Sequence, residues 1–245
     1  MKDTGKRFVR DTWYDRVSEP DQAQGLPQPS LEAPEEGRRI ALPAPEVITS
    51  PPLDLRAAIE QRRSLRKYAD APFSLEELAY LLWATQGVRE VIERPTVKVT
   101  FRTVPSAGAR HALDTYVLVN RVEGLEPGLY RYMAVEHALV RLPRPATIAT
   151  DLTDACLGQA FVGTCAAAFF WAADAYRMGW RYVERGYRYL YLDAGHVCQN
   201  LYLAAEQIGG GCCAIGAYND EAVDALLNLD GEQRFTVYIA TAGKR

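Results

Sequence analysis

Apolar positions along this chain change period several times, and each change marks an element. Leu55, Ile59 and Arg62 follow Ser50-Pro-Pro-Leu-Asp, where a capping serine and first-turn prolines introduce a helix. Ser74-Leu-Glu-Glu77 has the form of a capping box, with Leu75, Leu78, Leu81 and Leu82 at helical spacing behind it. Thr115 to Asn120 reads as a strand, and Gly128 to Tyr132 and Ala138 to Leu142 as hairpin arms joined across Val135 to His137. A helix from about Leu190 to Ile208 would carry Ala194, Val197, Leu201, Ala204, Ala205 and Ile208 on one stripe, with Gly209-Gly-Gly211 as its stop. A shorter helix from Asp220 to Leu227 follows. A strand from Phe235 to Ala242 then runs into Gly243-Lys-Arg245.

The stretch from Ala155 to Ala173 carries no charge and nominally reaches the length of a membrane span. Gly158, Gln159, Gly163 and Thr164 interrupt it, so a separate helix followed by a short central strand over Cys165 to Ala173 is expected instead. Helices and strands mix without a regular βαβ rhythm or an internal repeat, which makes α+β the expected class. Eight of the 14 prolines lie in the first 52 residues. Residues 1–52 therefore read as an extended, Pro-rich N-terminal arm that wraps the body or a second subunit, docked through Phe8, Trp13 or Tyr14.

A chain of 245 residues with 48% hydrophobic and 24% charged residues is an ordinary folded protein, not a disordered or low-complexity one. Its net charge of −3, without a basic block, gives no electrostatic footprint for nucleic acid. Five cysteines, odd in number and without C-x-x-C spacing, indicate neither a disulfide framework nor a zinc site. With a polar start that lacks the apolar run of a secretory signal, the expected location is the cytoplasm, away from any membrane.

Four segments could carry chemistry. Arg62-Arg63-Ser64-Leu65-Arg66-Lys67 sets cations and a hydroxyl at a helix end, where guanidinium groups could hold a phosphate; a solvated basic helix end is the plainer alternative. Val104-Pro-Ser-Ala-Gly-Ala109 is a small-residue loop that could lie close to a planar ligand, or simply a turn. Ile208-Gly-Gly-Gly-Cys-Cys-Ala214 could offer unshielded backbone amides, or be a glycine cap before a buried strand. Tyr176 to Tyr191 holds five tyrosines, one tryptophan and four arginines, which suits a subunit interface or stacking on a flat partner. The three histidines are scattered, and a Cys-His hydrolase built on Cys212 or Cys213 has little to support it.

Taken in order, these segments resemble the FMN-dependent nitroreductase superfamily, and within it the SagB/ThcOx-type dehydrogenases. The resemblance rests on Arg62-Arg-Ser-Leu-Arg66, Pro105-Ser-Ala-Gly108, Gly128-Leu-Tyr-Arg-Tyr132, Gly186-Tyr-Arg-Tyr189, Asp193 to Ala205 and Ile208 to Gly216, with Asp11-Thr-Trp-Tyr-Asp15 similar to the family's leader. It implies an α+β nitroreductase-like sandwich over residues 53–245 and a homodimer with FMN at the subunit interface. Arg62, Arg63, Ser64, Lys244 and Arg245 would hold the phosphate, and Arg66 would sit near the pyrimidine side of the ring. Pro105, Ser106 and Gly108 would come from the other subunit, and Gly210, Gly211 and Cys212 would face the N5/O4 edge.

The implied activity is ping-pong hydride transfer, with NAD(P)H or a small organic or peptidic substrate as donor. Alternatives are azoline-to-azole dehydrogenation in peptide tailoring and a non-catalytic scaffold of a multienzyme complex. Family members that oxidise azolines usually carry a Lys-Tyr pair where this chain has Arg181-Tyr182, the candidate catalytic residues. An arginine stays protonated and makes a poor base, whereas Tyr182 could act as an acid or a positioning group.

Overall fold

The computed structural model describes residues 3–47, 52–95 and 97–245. In chain order its elements are α1 (Thr4–Asp11), β1 (Arg39–Ala41), α2 (Leu55–Gln61), α3 (Leu75–Gln86), β2 (Val88–Arg94), β3 (Val97–Arg102), β4 (Leu113–Val119), β5 (Gly128–Met133) and β6 (Ala138–Arg141). There follow α4 (Ile148–Ala155), α5 (Phe161–Thr164), β7 (Ala167–Asp174), α6 (Ala175–Tyr182), α7 (Gly186–Gln207), β8 (Gly210–Ile215), α8 (Asp220–Leu227) and β9 (Arg234–Lys244).

Seven strands form one sheet in the order β1-β6-β5-β4-β7-β9-β8, and every pairing is antiparallel. The uncharged run that mimics a membrane span is the central strand β7. Ala167, Phe169, Trp171 and Ala173 face the core shared with α3 and α7, while Ala168, Phe170 and Ala172 face the one shared with α4 and α8. Both faces are covered, so the strand has no polar side to show. Among the described residues no helix is long and apolar enough to cross a membrane.

Local chemistry sets the helix ends. Ser74 Oγ accepts from the Glu77 amide at 3.2 Å, and Glu77 Oε2 accepts from the Ser74 amide at 2.9 Å, completing the capping box of α3. The start of α2 is capped by Asp54, whose Oδ1 accepts from the Ala57 amide; the expected cap, Ser50, lies outside the described residues. Helix α7 begins at Gly186, before the apolar stripe that marks it in the sequence, because Gly186 packs against Met178 and Gly179 of α6. Only Gly209, at φ +67°, ends that helix; Gly210 and Gly211 already belong to β8.

Two features depart from the expectations. The β2–β3 hairpin has no clear signature in the sequence, since Glu90, Glu93, Arg94 and Lys98 blur any apolar alternation in largely exposed strands. Residues 3–47 of the expected arm are also not uniformly extended. They contain α1 and β1, and β1 joins the sheet beside β6. This segment follows the body of its own chain: Leu26 O accepts from Trp180 Nε1 at 3.1 Å, Glu32 Oε2 from the Ala134 amide at 2.8 Å, and Thr12 O from Arg185 Nη1 at 2.8 Å. Tyr14 remains 76% exposed, with the Arg185 guanidinium over its ring.

Candidate functional site

Strand β8 is an edge of the sheet, and its outer side is closed by the segment that follows α2. Ser64 pairs in parallel with Cys212, and the Leu65 amide donates to Cys212 O at 2.9 Å. The Ser64 and Tyr202 hydroxyls share a hydrogen bond at 2.9 Å, and Tyr202 also accepts from the Ala214 amide at 2.8 Å. The Arg62 guanidinium lies over the Tyr202 ring, 5.1 Å from its centre. Arg63, Ser64 and Arg66 are exposed, and among the described residues neither of these arginines pairs with a carboxylate. Register places Lys244 opposite Gly210 and Gly243 opposite Gly211, so this corner gathers both chain regions singled out in the sequence.

The gathered residues differ in availability. Lys244 Nζ is held by Glu77 and by Ile208 O, and Arg245 by Glu206, so these two cations are already neutralised within the chain. Gly210, Gly211 and Cys212 are buried. A side chain at Gly211 would meet Leu65 Cδ2 at 2.6 Å, which accounts for the glycine by close approach of the 62–66 segment. Burial and contact with Cys198 push the Cys212 thiol up, and burial pushes up Cys213 against the opposing charge of Arg66. Protonated thiols are poor nucleophiles, which removes the basis for a Cys-His hydrolase.

A second group forms where the 105–111 loop meets the end of α6. Ser106 Oγ donates to Asp193 Oδ2 at 2.6 Å, and the Ala107 amide to Oδ1 at 3.3 Å. Burial pushes the Asp193 carboxyl above its ordinary range, with these two donors opposing the shift. Gly108, at φ +55°, lies so close to the next element that a Cβ there would meet Tyr182 Oη at 2.4 Å and Arg181 Nε at 3.0 Å. Pro105 is exposed, and Ser106 and Gly108 are half-buried. Ala109, His111 and Val183 all hold positive φ, of 51°, 44° and 48°. Such strain in non-glycine residues costs about 1–3 kcal/mol each and tends to cluster where function demands a fixed geometry.

Helix α7 carries both groups, with Asp193 serving the loop and Tyr202 the cationic corner; the helix rises about 14 Å between them. Tyr202 and Asp193 are the positions that sequence reading missed. Each lies inside a segment recognised as helix, but its partner is far away in sequence, and no local signal names it.

An antiparallel sheet covered by helices on both faces, with a cationic corner at the β8 edge, defines an α+β fold of the nitroreductase type. The chain belongs to the nitroreductase family, whose model matches residues 59–244, and this makes it an oxidoreductase by family. It is 36% identical over 177 residues to a Methanocaldococcus jannaschii protein bearing a nitroreductase name, MJ1384, across 72% of this chain and 85% of that one. A structure from Anabaena variabilis, also bearing a nitroreductase name, superposes with a TM-score of 0.74 at 24% identity, covering 97% of this chain. The present chain spans only 45% of that protein. The E. coli microcin synthetase McbBCD complex gives a TM-score of 0.62 at 20% identity, covering 99% of this chain and 91% of that one. The two structural likenesses establish the shared fold.

Proposed function

We propose that the chain is an FMN-dependent oxidoreductase that works as a homodimer, moving a hydride between an organic donor, NAD(P)H included, and an acceptor. The observation that carries this reading is the cationic corner: Arg63 and Arg66 without carboxylate partners among the described residues, Arg62 stacked on Tyr202, and Ser64 held between Tyr202 and Cys212. This donor set fits a phosphate, for which guanidinium groups and a hydroxyl supply charge-assisted bonds. Lys244 and Arg245 would join it only by exchanging their bonds to Glu77 and Glu206. When bound, the flavin supplies the hydride-accepting centre.

The chain itself does the holding and orienting. The Leu65 amide and Tyr202 fix the segment that meets the phosphate, while Asp193 fixes the loop from Ser106 to Gly108. A second copy is supported by apolar side chains exposed on α2 and α7, with Leu55 at 63%, Ile59 at 55% and Leu192 at 59%. The azoline-to-azole alternative remains the second reading, since Tyr182 stands against Gly108, but its neighbour Arg181 has a permanent charge and cannot take up a proton. The test is an anaerobic titration of the purified protein with NADH and NADPH, followed by reoxidation with quinones and nitroaromatics. Flavin bleaching and recovery are expected. A protein that stays colourless after incubation with FMN would instead indicate the scaffold role.

A further inference from the structure

A cleft of about 420 Å³ lies between the N-terminal arm and the end of α6, with Tyr14, Glu19 and Gln22 on the arm side and Arg181, Tyr182 and Arg185 on the body side. That is room for a small flat molecule. The arm is clipped in place beside it, because Trp180 O accepts from the Gln22 amide at 2.9 Å and Trp180 Nε1 donates to Leu26 O at 3.1 Å.

The cationic side chains of this wall make no ion pair among the described residues. Arg181 lies over the Tyr182 ring, and Arg185 donates to Tyr189 Oη and Thr12 O; among the described residues neither meets a carboxylate. Behind them Arg110 is only 2% exposed, stacked on Trp180 at 4.9 Å, and among the described residues its Nε and Nη1 have no partner. Its pKa is held down to about 10, first by burial and then by the charges of Arg181 and Arg177. A buried guanidinium with two nitrogens short of a partner is costly, and the strained Val183 that borders the cleft adds to the cost. Among the described residues that line the cleft, Glu19 is the single acidic one.

We propose that this cleft is the substrate pocket of the enzyme and recognises an anionic group, a carboxylate or a phosphate, carried on a flat aromatic or heterocyclic body. Arg181 meets the anion, Arg110 reinforces the positive potential from behind Trp180, and Tyr14 and Tyr182 flank the ring. The assignment of a substrate pocket rests on the oxidoreductase reading above, whereas the anion preference can be measured without it. Arg181 is then a specificity residue, which gives a function to a side chain unsuited to serve as a base.

The full chain is titrated calorimetrically with benzoate, phenyl phosphate and benzamide, and the flavin content of each sample is read from its visible spectrum. Benzoate or phenyl phosphate is expected to bind at least about tenfold more tightly than neutral benzamide, and the tighter of the two identifies the anion. Arg181→Gln should abolish the preference and Arg181→Lys should restore part of it. Arg110→Met should weaken anion binding without lowering the melting temperature, because it removes an unpaired buried charge. Equal affinity for all three probes, failure of both anions to bind in the millimolar range, or an undiminished preference in Arg181→Gln would overturn the proposal. A flavin-free protein that keeps the preference would retire the oxidoreductase reading while supporting the anion site.

Discussion

The Ser106 hydroxyl donates to the Asp193 carboxylate at 2.6 Å and accepts from the His111 amide at 2.9 Å, tying the strained 105–111 loop to α7. Ser106→Ala leaves both groups short of a partner inside the fold. A loss of about 1–3 kcal/mol is expected in urea unfolding, with reduced turnover. An unchanged denaturation midpoint would show that the loop is held by other contacts.

Gly211→Ala addresses the cationic corner without touching a charge. Its Cβ would lie 2.6 Å from Leu65 Cδ2 and 2.9 Å from Leu65 Cβ, so the segment carrying Arg62 to Arg66 has to move. FMN affinity, measured by quenching of flavin fluorescence, should fall by about tenfold or more. Gly179→Ala, which meets nothing within 4 Å inside α6, should leave it unchanged.

His111 supplies a pH signature. Burial, and secondarily the nearby Arg102 charge, lower its pKa from 6.5 to about 3. Below the ordinary value the unfolded chain takes up a proton that the fold refuses, so stability falls as pH drops from 6.5 toward 3. Between neutral pH and mildly acid conditions near pH 5, the loss from this group is about 2 kcal/mol. His111→Asn, which tolerates the positive φ, should remove this component from urea midpoints measured across that range.

Asp114 holds the opposite kind of site. Burial alone would raise its pKa, but Arg131 at 2.7 Å, Arg177 at 3.0 Å and Arg234 at 3.2 Å hold it well below the usual carboxylate range. Asp114→Asn strands buried guanidinium groups and should cost about 3–5 kcal/mol. Thermal unfolding of that variant measures the loss directly.

The features legible in the sequence are those whose cause is local. The Ser74–Glu77 capping box, the stripe of α7 and the apolar run of β7 each follow from neighbours in the chain, and each appears in the structure. Helix α7 starts four residues before its apolar stripe indicates, because Gly186 is helical through packing on α6, not through any apolar repeat of its own. At the candidate site the Arg62–Arg66 cluster was visible as composition, whereas its anchor Tyr202 was not, because the Ser64–Tyr202 bond spans 138 residues. Arg110 escaped for a similar reason. Only the fold reveals that an arginine next to a glycine loop is buried against Trp180 without a partner for Nε or Nη1.

The most direct test is the cofactor content and mass of the purified chain, determined together by visible absorbance and light scattering after incubation with FMN. One FMN per chain in a particle of two chains is expected, with retention sharply reduced in Arg62→Ala. A single chain that passes through the column without flavin would contradict both the phosphate corner and the paired assembly.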